Sequence, residues 1–259
     1  MKEYILVTGA SSGVGYEMAF QLAAKKYNLI IVARNEQKLK QMQMQLILEY
    51  NVDVEYVPAD LSLISEAYDL YNHTISKDLL VTGLINNAGV GIYGNFEDVS
   101  LEEELKMIEL NVASLVALTK LYGKDMVTRK SGRIMNVASL LSFLPFPYYS
   151  TYSATKAFVL AYTETIAAEL EGSGVVVTAL CPGTVETPFH TADMRKTNAM
   201  ETNKPMPAAQ VAKAGVDLFL YGKGKKIVGF MNWFISNLPR VTPDPIMMKI
   251  KKNLASIKK

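Results

Sequence analysis

The sequence predicts an α/β protein built on an open, doubly wound sheet of about seven parallel strands with helices on both faces. Three observations predict it. Seven short runs rich in β-branched residues recur along the chain: YILVT at 4–8, LIIVA at 29–33, VEYVP at 54–58, LLVTGLI at 79–85, GRIMNVA at 132–138, VVVTAL at 175–180 and KIVGF at 226–230. Continuous apolar runs of this kind suit strands buried on both faces of a parallel sheet. Between the runs, apolar residues recur at helical spacing, as in Val14, Met18 and Leu22, and in Leu39, Met42, Leu46 and Tyr50, and alternation of strand and helix gives a doubly wound sheet.

No repeat, low-complexity tract or Gly/Ser linker divides the 259 residues, so residues 1–259 read as one domain. Within it, residues 188–207 have the composition of a lid and residues 231–259 form a basic C-terminal extension. A composition of 49% hydrophobic and 20% charged residues is ordinary globular material. The net charge of +2 is too small to indicate nucleic acid, and none is expected as a partner. Lys249, Lys251, Lys252, Lys258 and Lys259 stand together at the end with no acid among them. Setting these aside leaves 22 of the 27 basic residues against 25 acidic ones, a mildly acidic body with a basic tail. The one cysteine, Cys181, excludes an internal disulfide and fits a reducing compartment. The charged Met-Lys-Glu start runs straight into a strand without an apolar signal region. The apolar run Ile227 to Ile235 is less than half of the roughly 20 residues needed to span a bilayer. A soluble, cytoplasmic protein is the expectation.

Open sheets of this class bind ligands beyond the carboxyl ends of their strands. The first loop there is TGASSGVG, Thr8 to Gly15, between a strand and a helix. Gly9 permits a tight turn, Gly13 lets backbone approach a pyrophosphate, and Gly15 lets the helix pack closely; Val14 sits among them. The helix start offers free N–H groups to anionic oxygens. No Gly-Lys-Ser/Thr ending follows, which disfavours a nucleoside triphosphatase. After the second strand, where an NAD site would carry an acid, the chain has Arg34. A guanidinium there suits a 2′-phosphate, so NADP(H) is the expected cofactor, with Ser11 and Ser12 as further donors. The bland alternative makes Arg34 a solvated residue opening the next helix. Asp60 and Leu61 after the third strand can meet an adenine, or Asp60 can cap a helix beginning near Ser62. In NNAG, the small residues Ala88 and Gly89 leave room for a ribose while Asn87 ties neighbouring backbone together.

The fifth strand delivers Ser139 at its carboxyl end, and thirteen residues later Tyr152 opens a helix that also carries Lys156. Residues four apart share a helix face. An ammonium beside the phenol is expected to lower the tyrosine pKa toward the working range of an acid–base catalyst. Tyr148 and Tyr149 have Tyr152 and Ser153 at that spacing, not a cation, so Tyr152 is the proton-transferring candidate.

TGASSGVG, NNAG, Asn111 in EELKMIELNVASL, Ser139, YSATK and PGTVET occur in an order and approximate spacing that resembles the short-chain dehydrogenase/reductase family over residues 4 to about 190. More narrowly, the chain is similar to the NADP-dependent branch that acts on ketones, including 3-oxoacyl thioesters and steroid-like ketones. The resemblance implies a Rossmann-like fold and an NADP-dependent carbonyl reductase. Ser139 would polarise the substrate carbonyl and Tyr152 would donate the proton. Lys156 would hold the nicotinamide ribose and tune the tyrosine, and Asn111 would anchor a water in the proton relay. Pro182 and Gly183 would shape a turn, with backbone near Val185 and the hydroxyl of Thr187 fixing the nicotinamide amide. The structural alternatives are Ser139 as a turn cap, Asn111 as an amide holding a helix kink, and Lys156 as a partner for an acid such as Glu164. A catalytically silent NADPH-binding sensor or scaffold is the rival reading of the whole chain.

Around the chemistry the sequence is greasy. LLSFLPFPYY follows Ser139, and the lid segment offers Met194, Met200 and Met206, which suits a small hydrophobic carbonyl or alcohol substrate. His73 and His190 lack metal-ligand spacing, so no metal is expected and both read as surface residues. Ile246, Met247, Ile250, Leu254 and Ile257 recur at near-helical spacing among lysines. Such an end suits a solvated helix, a subunit contact, or weak contact with an anionic membrane surface. The family resemblance implies a homodimer or homotetramer.

Overall fold

A computed structural model of the protein describes residues 2–240 and 242–257. Of the basic tail, Lys258 and Lys259 lie outside the described residues. Six strands, β1 (Glu3–Thr8), β2 (Asn28–Ala33), β3 (Val54–Pro58), β4 (Leu80–Asn86), β5 (Gly132–Val137) and β6 (Val175–Cys181), are joined by helices. These are α1 (Gly13–Ala24), α2 (Glu36–Tyr50), α3 (Ile64–Ser76), α4 (Leu101–Ile108), α5 (Ser114–Arg129) and α6 (Ser150–Glu169). A small excursion follows: β7 (Val185–Glu186), α7 (Ala192–Arg195), α8 (Asn198–Thr202) and β8 (Met206–Pro207), with β7 and β8 paired in parallel. The chain then forms α9 (Ala208–Tyr221), β9 (Gly224–Ile227), α10 (Phe230–Asn237) and α11 (Asp244–Ala255).

The main sheet has seven strands in the order β3-β2-β1-β4-β5-β6-β9, every pairing parallel. Its strands explain their own composition. Ile5, Val7, Leu29 and Ile31 pack with Met18, Leu22, Leu39 and Val216 on one face, while Leu6, Ile30, Val32 and Leu84 pack with Leu70, Leu118 and Met126 on the other. Alternate residues of one strand therefore enter different cores, so neither face tolerates a polar stripe. Full burial of each such side chain contributes about 1.5–3 kcal/mol. The predicted helical stripes also find their partners, since Met18 and Leu22 on α1 and Leu39, Met42 and Leu46 on α2 are buried.

The seventh strand differs from expectation. It spans Gly224–Ile227 rather than 226–230, because Gly229 turns at φ +94° and Phe230 already opens α10. The helix after Asp60 begins at Ile64, not near Ser62. The C-terminal segment is not a free solvated tail. It folds back over the small excursion, where Thr197 bridges Ile257, the Asn198 N–H donates to the Ser256 carbonyl and Tyr93 donates its hydroxyl proton to the Ala255 carbonyl at 2.8 Å. No helix among the described residues is long and apolar enough to cross a membrane.

Candidate active site

Strand order reverses on either side of β1 and β4, and at the carboxyl ends of these strands lies a cleft of about 680 Å³. Its first wall is the loop from β1 into α1. Gly9 and Gly13 stand at φ +65° and +59°, a conformation that side chains disfavour. A Cβ on Gly9 would also lie 2.9 Å from the Ala88 backbone. Gly15 does not line the cleft: it lets α1 approach the loop, since a Cβ there would sit 2.5 Å from the Gly9 carbonyl oxygen. Ser11, Ser12, Gly13 and Val14 face the opening.

The residues after β4 are tied to this loop. Thr8 accepts the N–H groups of Asn87 and Ala88 at 3.0 Å each, and the Asn87 amide donates to the carbonyls of Thr8 and Gly9 at 3.0 and 3.2 Å. Asn87 thus cross-links two strand ends as its sequence context suggested, while Thr8 is a partner that sequence reasoning missed. Arg34 lines the cleft together with Lys38, another residue not foreseen. Asn35 between them caps α2 by accepting the Lys38 N–H at 2.9 Å, which fixes the first turn of that helix. Asp60 and Leu61 line the same region. The Asp60 carboxylate accepts from both the N–H and the hydroxyl of Ser62, so it holds a turn ahead of α3 while its residue still borders the cleft.

At the other end, Ser139 follows β5 and caps a 3-10 turn, Leu140–Phe143. Its hydroxyl accepts the Leu141 N–H at 3.1 Å. Ser142 closes the turn against α6 by accepting from Ser139 N–H and donating to the Lys156 carbonyl at 2.7 Å. The turn-cap reading of Ser139 is therefore correct, and the same residue lines the cleft. Tyr152, in the first turn of α6, lines the cleft together with Ser139. The Lys156 ammonium donates to the Val137 carbonyl at 2.8 Å. Glu164, the alternative partner, pairs instead with Lys225.

Burial changes the expected electrostatics. It pushes the Tyr152 phenol up to about 12, and the influence of the Ser139 side chain offsets only part of this. Burial also pulls the Lys156 ammonium down to about 8. The expected lowering of Tyr152 by Lys156 is not found: desolvation of the phenolate raises the phenol, and Lys156 is not among the groups that act on it.

Asn111 lies fully buried in a π-helical turn, Glu109–Ala113, where α4 runs into α5. Its amide holds the loop after β4, accepting the Val90 N–H at 3.0 Å and donating to the Val90 carbonyl at 2.9 Å and to the Thr155 hydroxyl at 3.2 Å. It does not itself line the cleft. Gly89 shows where it points: a Cβ on Gly89 would lie 3.1 Å from the Asn111 Oδ1 and 3.4 Å from the Lys156 Nζ. These two polar groups therefore converge on one bare stretch of backbone.

Pro182, Gly183, Val185 and Thr187 line the cleft opposite the glycine loop, and the Thr187 methyl would meet a Cβ on Gly13 at 3.0 Å. Beyond them the walls are apolar, with Leu141, Leu144, Phe146, Phe189, Met200, Ile235 and Leu254. Phe189, at the start of the predicted lid segment, has its ring 5.6 Å from that of Tyr152. Of the three lid methionines only Met200 lines the cleft; Met194 is fully buried, and Met206 packs beside Gly229. His190 also departs from its surface reading, for it lines the cleft, whereas His73 pairs with Glu55 at 3.0 Å on partly exposed surface.

Comparison with known proteins accounts for this arrangement. Residues 3–198 match the family model described as short chain dehydrogenase. The chain is 33% identical over 243 residues to a very-long-chain 3-oxoacyl-CoA reductase of Pyrenophora tritici-repentis, covering 90% of this chain and 71% of that protein. It is 30% identical over 257 residues to a very-long-chain 3-oxoacyl-CoA reductase of Anas platyrhynchos, covering 97% and 80%. Among solved structures, a short-chain dehydrogenase from Sphingobium yanoikuyae in complex with NADPH superposes with a TM-score of 0.80 at 26% identity, covering 94% of this chain and 97% of that one. The chain belongs to the short-chain dehydrogenase/reductase family of oxidoreductases.

Proposed function

We propose that the protein uses NADPH to reduce the carbonyl of a hydrophobic ketone or 3-oxoacyl compound to an alcohol. The observation that carries the reading is that Tyr152 and Ser139 face the same cleft, with Lys156 and Asn111 converging at Gly89. The relatives named as 3-oxoacyl-CoA reductases and the NADPH complex of the Sphingobium protein support it.

The cleft fits the dinucleotide. Gly9 and Gly13 keep its loop free of side chains, and the start of α1 offers N–H groups to a pyrophosphate. Arg34, with Lys38 on the same wall, is the cation for a 2′-phosphate. Asn87, Ala88 and Gly89 border the ribose side, and Pro182, Gly183, Val185 and Thr187 the nicotinamide side. Bound NADPH supplies a hydride to the carbonyl carbon. The Ser139 hydroxyl polarises the carbonyl oxygen, and Tyr152, kept protonated by burial, gives that oxygen its proton as negative charge develops there. The Lys156 ammonium, which meets Asn111 at Gly89, returns a proton to Tyr152 by way of a water that Asn111 anchors. The apolar walls select a hydrophobic substrate and exclude water.

Loss of NADPH absorbance over a panel of carbonyls, from short soluble ketones to long-chain 3-oxoacyl thioesters, tests the reading. Turnover that improves with apolar chain length is expected. Tight NADPH binding with no turnover on any member would favour a silent sensor instead.

A further inference from the structure

One C-terminal helix, α10, is built inside out, and its neighbour in sequence, α11, leaves large apolar side chains at the surface. On α10 the buried residues are polar: Asn232 is 3% exposed and Ser236 6%. Asn232 donates to the Val228 carbonyl at 2.7 Å and accepts from the Asn203 amide at 2.9 Å, while Ser236 donates to the Trp233 carbonyl. The same helix turns Phe230, Met231, Trp233 and Phe234 outward, with Phe230 79% and Trp233 52% exposed. α11 buries Met247 and Ala255 in the usual way, but Lys251 lies buried between them at 5% exposure while Ile246 and Ile250, one turn apart, are about half exposed. A helix packing on a water-soluble core places these residue types the other way round. Clustered large apolar side chains at a surface mark a contact with a partner or a bilayer.

Charge decides between these occupants. Across residues 218–257 the sole acid is Asp244, against seven basic residues. Of these, Lys223, Lys226, Lys249 and Lys252 are exposed and make no ion pair among the described residues. Lys249 and Lys252 stand on α11 itself, so a second copy meeting that helix through two-fold symmetry would set lysine against lysine. An anionic lipid surface neutralises them and accepts the aromatic side chains at its headgroup boundary. We propose that α10 and α11 seat the protein on an anionic phospholipid bilayer. Ile235 on α10 and Leu254 on α11 line the cleft, so the docked face borders its mouth. The proposal does not rest on the reaction proposed above.

Trp233 is the chain's single tryptophan and lies on the face in question, so its emission reports docking directly. The full chain is titrated with mixed phosphatidylserine–phosphatidylcholine vesicles and with pure phosphatidylcholine vesicles. The expected result is a blue shift with co-sedimentation on the mixed vesicles, at least about tenfold tighter than on the neutral ones, and reversed by salt well above about 0.1 M. The double variants Phe230→Ser/Phe234→Ser and Ile246→Ser/Ile250→Ser, all at exposed positions, should each lose most vesicle binding while keeping wild-type circular dichroism. Unchanged emission with both vesicle types would overturn the proposal, as would equal binding to both. A lipid-free blue shift that grows with protein concentration, matched by a dimer in sedimentation velocity, would overturn it in favour of a second copy.

Discussion

The side chain of Asn111 satisfies both backbone groups of Val90, accepting its N–H at 3.0 Å and donating to its carbonyl at 2.9 Å. One amide on the π-helical turn therefore holds the loop that follows β4 and, with it, Gly89 beside the Lys156 ammonium. Loss of this side chain leaves two backbone groups and the Thr155 hydroxyl without it. Asn111→Ala should destabilise the protein by about 1–3 kcal/mol, read from the urea midpoint. Its kcat should fall further than the lost folded fraction accounts for, whereas a purely structural role would leave kcat per folded molecule unchanged.

Arg34 gives a test of cofactor choice. Reversal of its charge removes a charge-assisted contact and adds repulsion toward a 2′-phosphate, while NADH has no phosphate to lose. Arg34→Asp should raise the Kd for NADPH about 10- to 100-fold and leave that for NADH unchanged or lower. Titration of the quenching of Trp233 or of the enhancement of nicotinamide fluorescence measures both. An unchanged ratio of the two constants removes Arg34 from the assigned role.

Buried Lys156 sets a pH window for stability. Below about 8 its ammonium is charged in the folded and the unfolded chain, and the cost of burying it is felt in full. Between about 8 and its ordinary 10.5 the folded state releases a proton that the unfolded chain keeps, so stability rises with pH. Tyr152 works in the opposite sense, but only above its ordinary 10, where the unfolded phenol ionises and the buried one, near 12, does not. From pH 8 to 10 the cofactor-free wild type should therefore gain about 1–2 kcal/mol relative to Lys156→Met, measured by denaturant unfolding at each pH.

Much of the fold was legible because a parallel sheet covered on both sides writes its strands as unbroken apolar runs; β1 to β6 fall within two residues of the runs that announce them. The glycine loop was legible for a related reason, since positive φ and close backbone approach leave glycine as the fitting residue at Gly9 and Gly13. What was hidden depended on distant partners. KIVGF reads as a strand, yet Phe230 belongs to a helix because Gly229 turns the chain away from the sheet edge. The spacing of Tyr152 and Lys156 announces a shared face, but not that burial would raise the phenol nor that the ammonium would reach the Val137 carbonyl. Lys38 carries no local motif, and the periodicity that includes Leu254 does not say that this residue reaches the cleft; both join it through tertiary packing. Periodicity at 246–257 marks a helix without saying which stripe faces inward, and here the lysine stripe includes a buried Lys251.

The central claim is that the Tyr152 phenol, which shares the cleft with Ser139, delivers the proton. Tyr152→Phe keeps the ring and its packing against Phe189 but removes the hydroxyl. With a ketone that the wild type reduces, this variant should bind NADPH with an unchanged Kd and lose about 10²- to 10⁴-fold in kcat. Retention of wild-type kcat by a folded, NADPH-binding Tyr152→Phe protein would contradict the account.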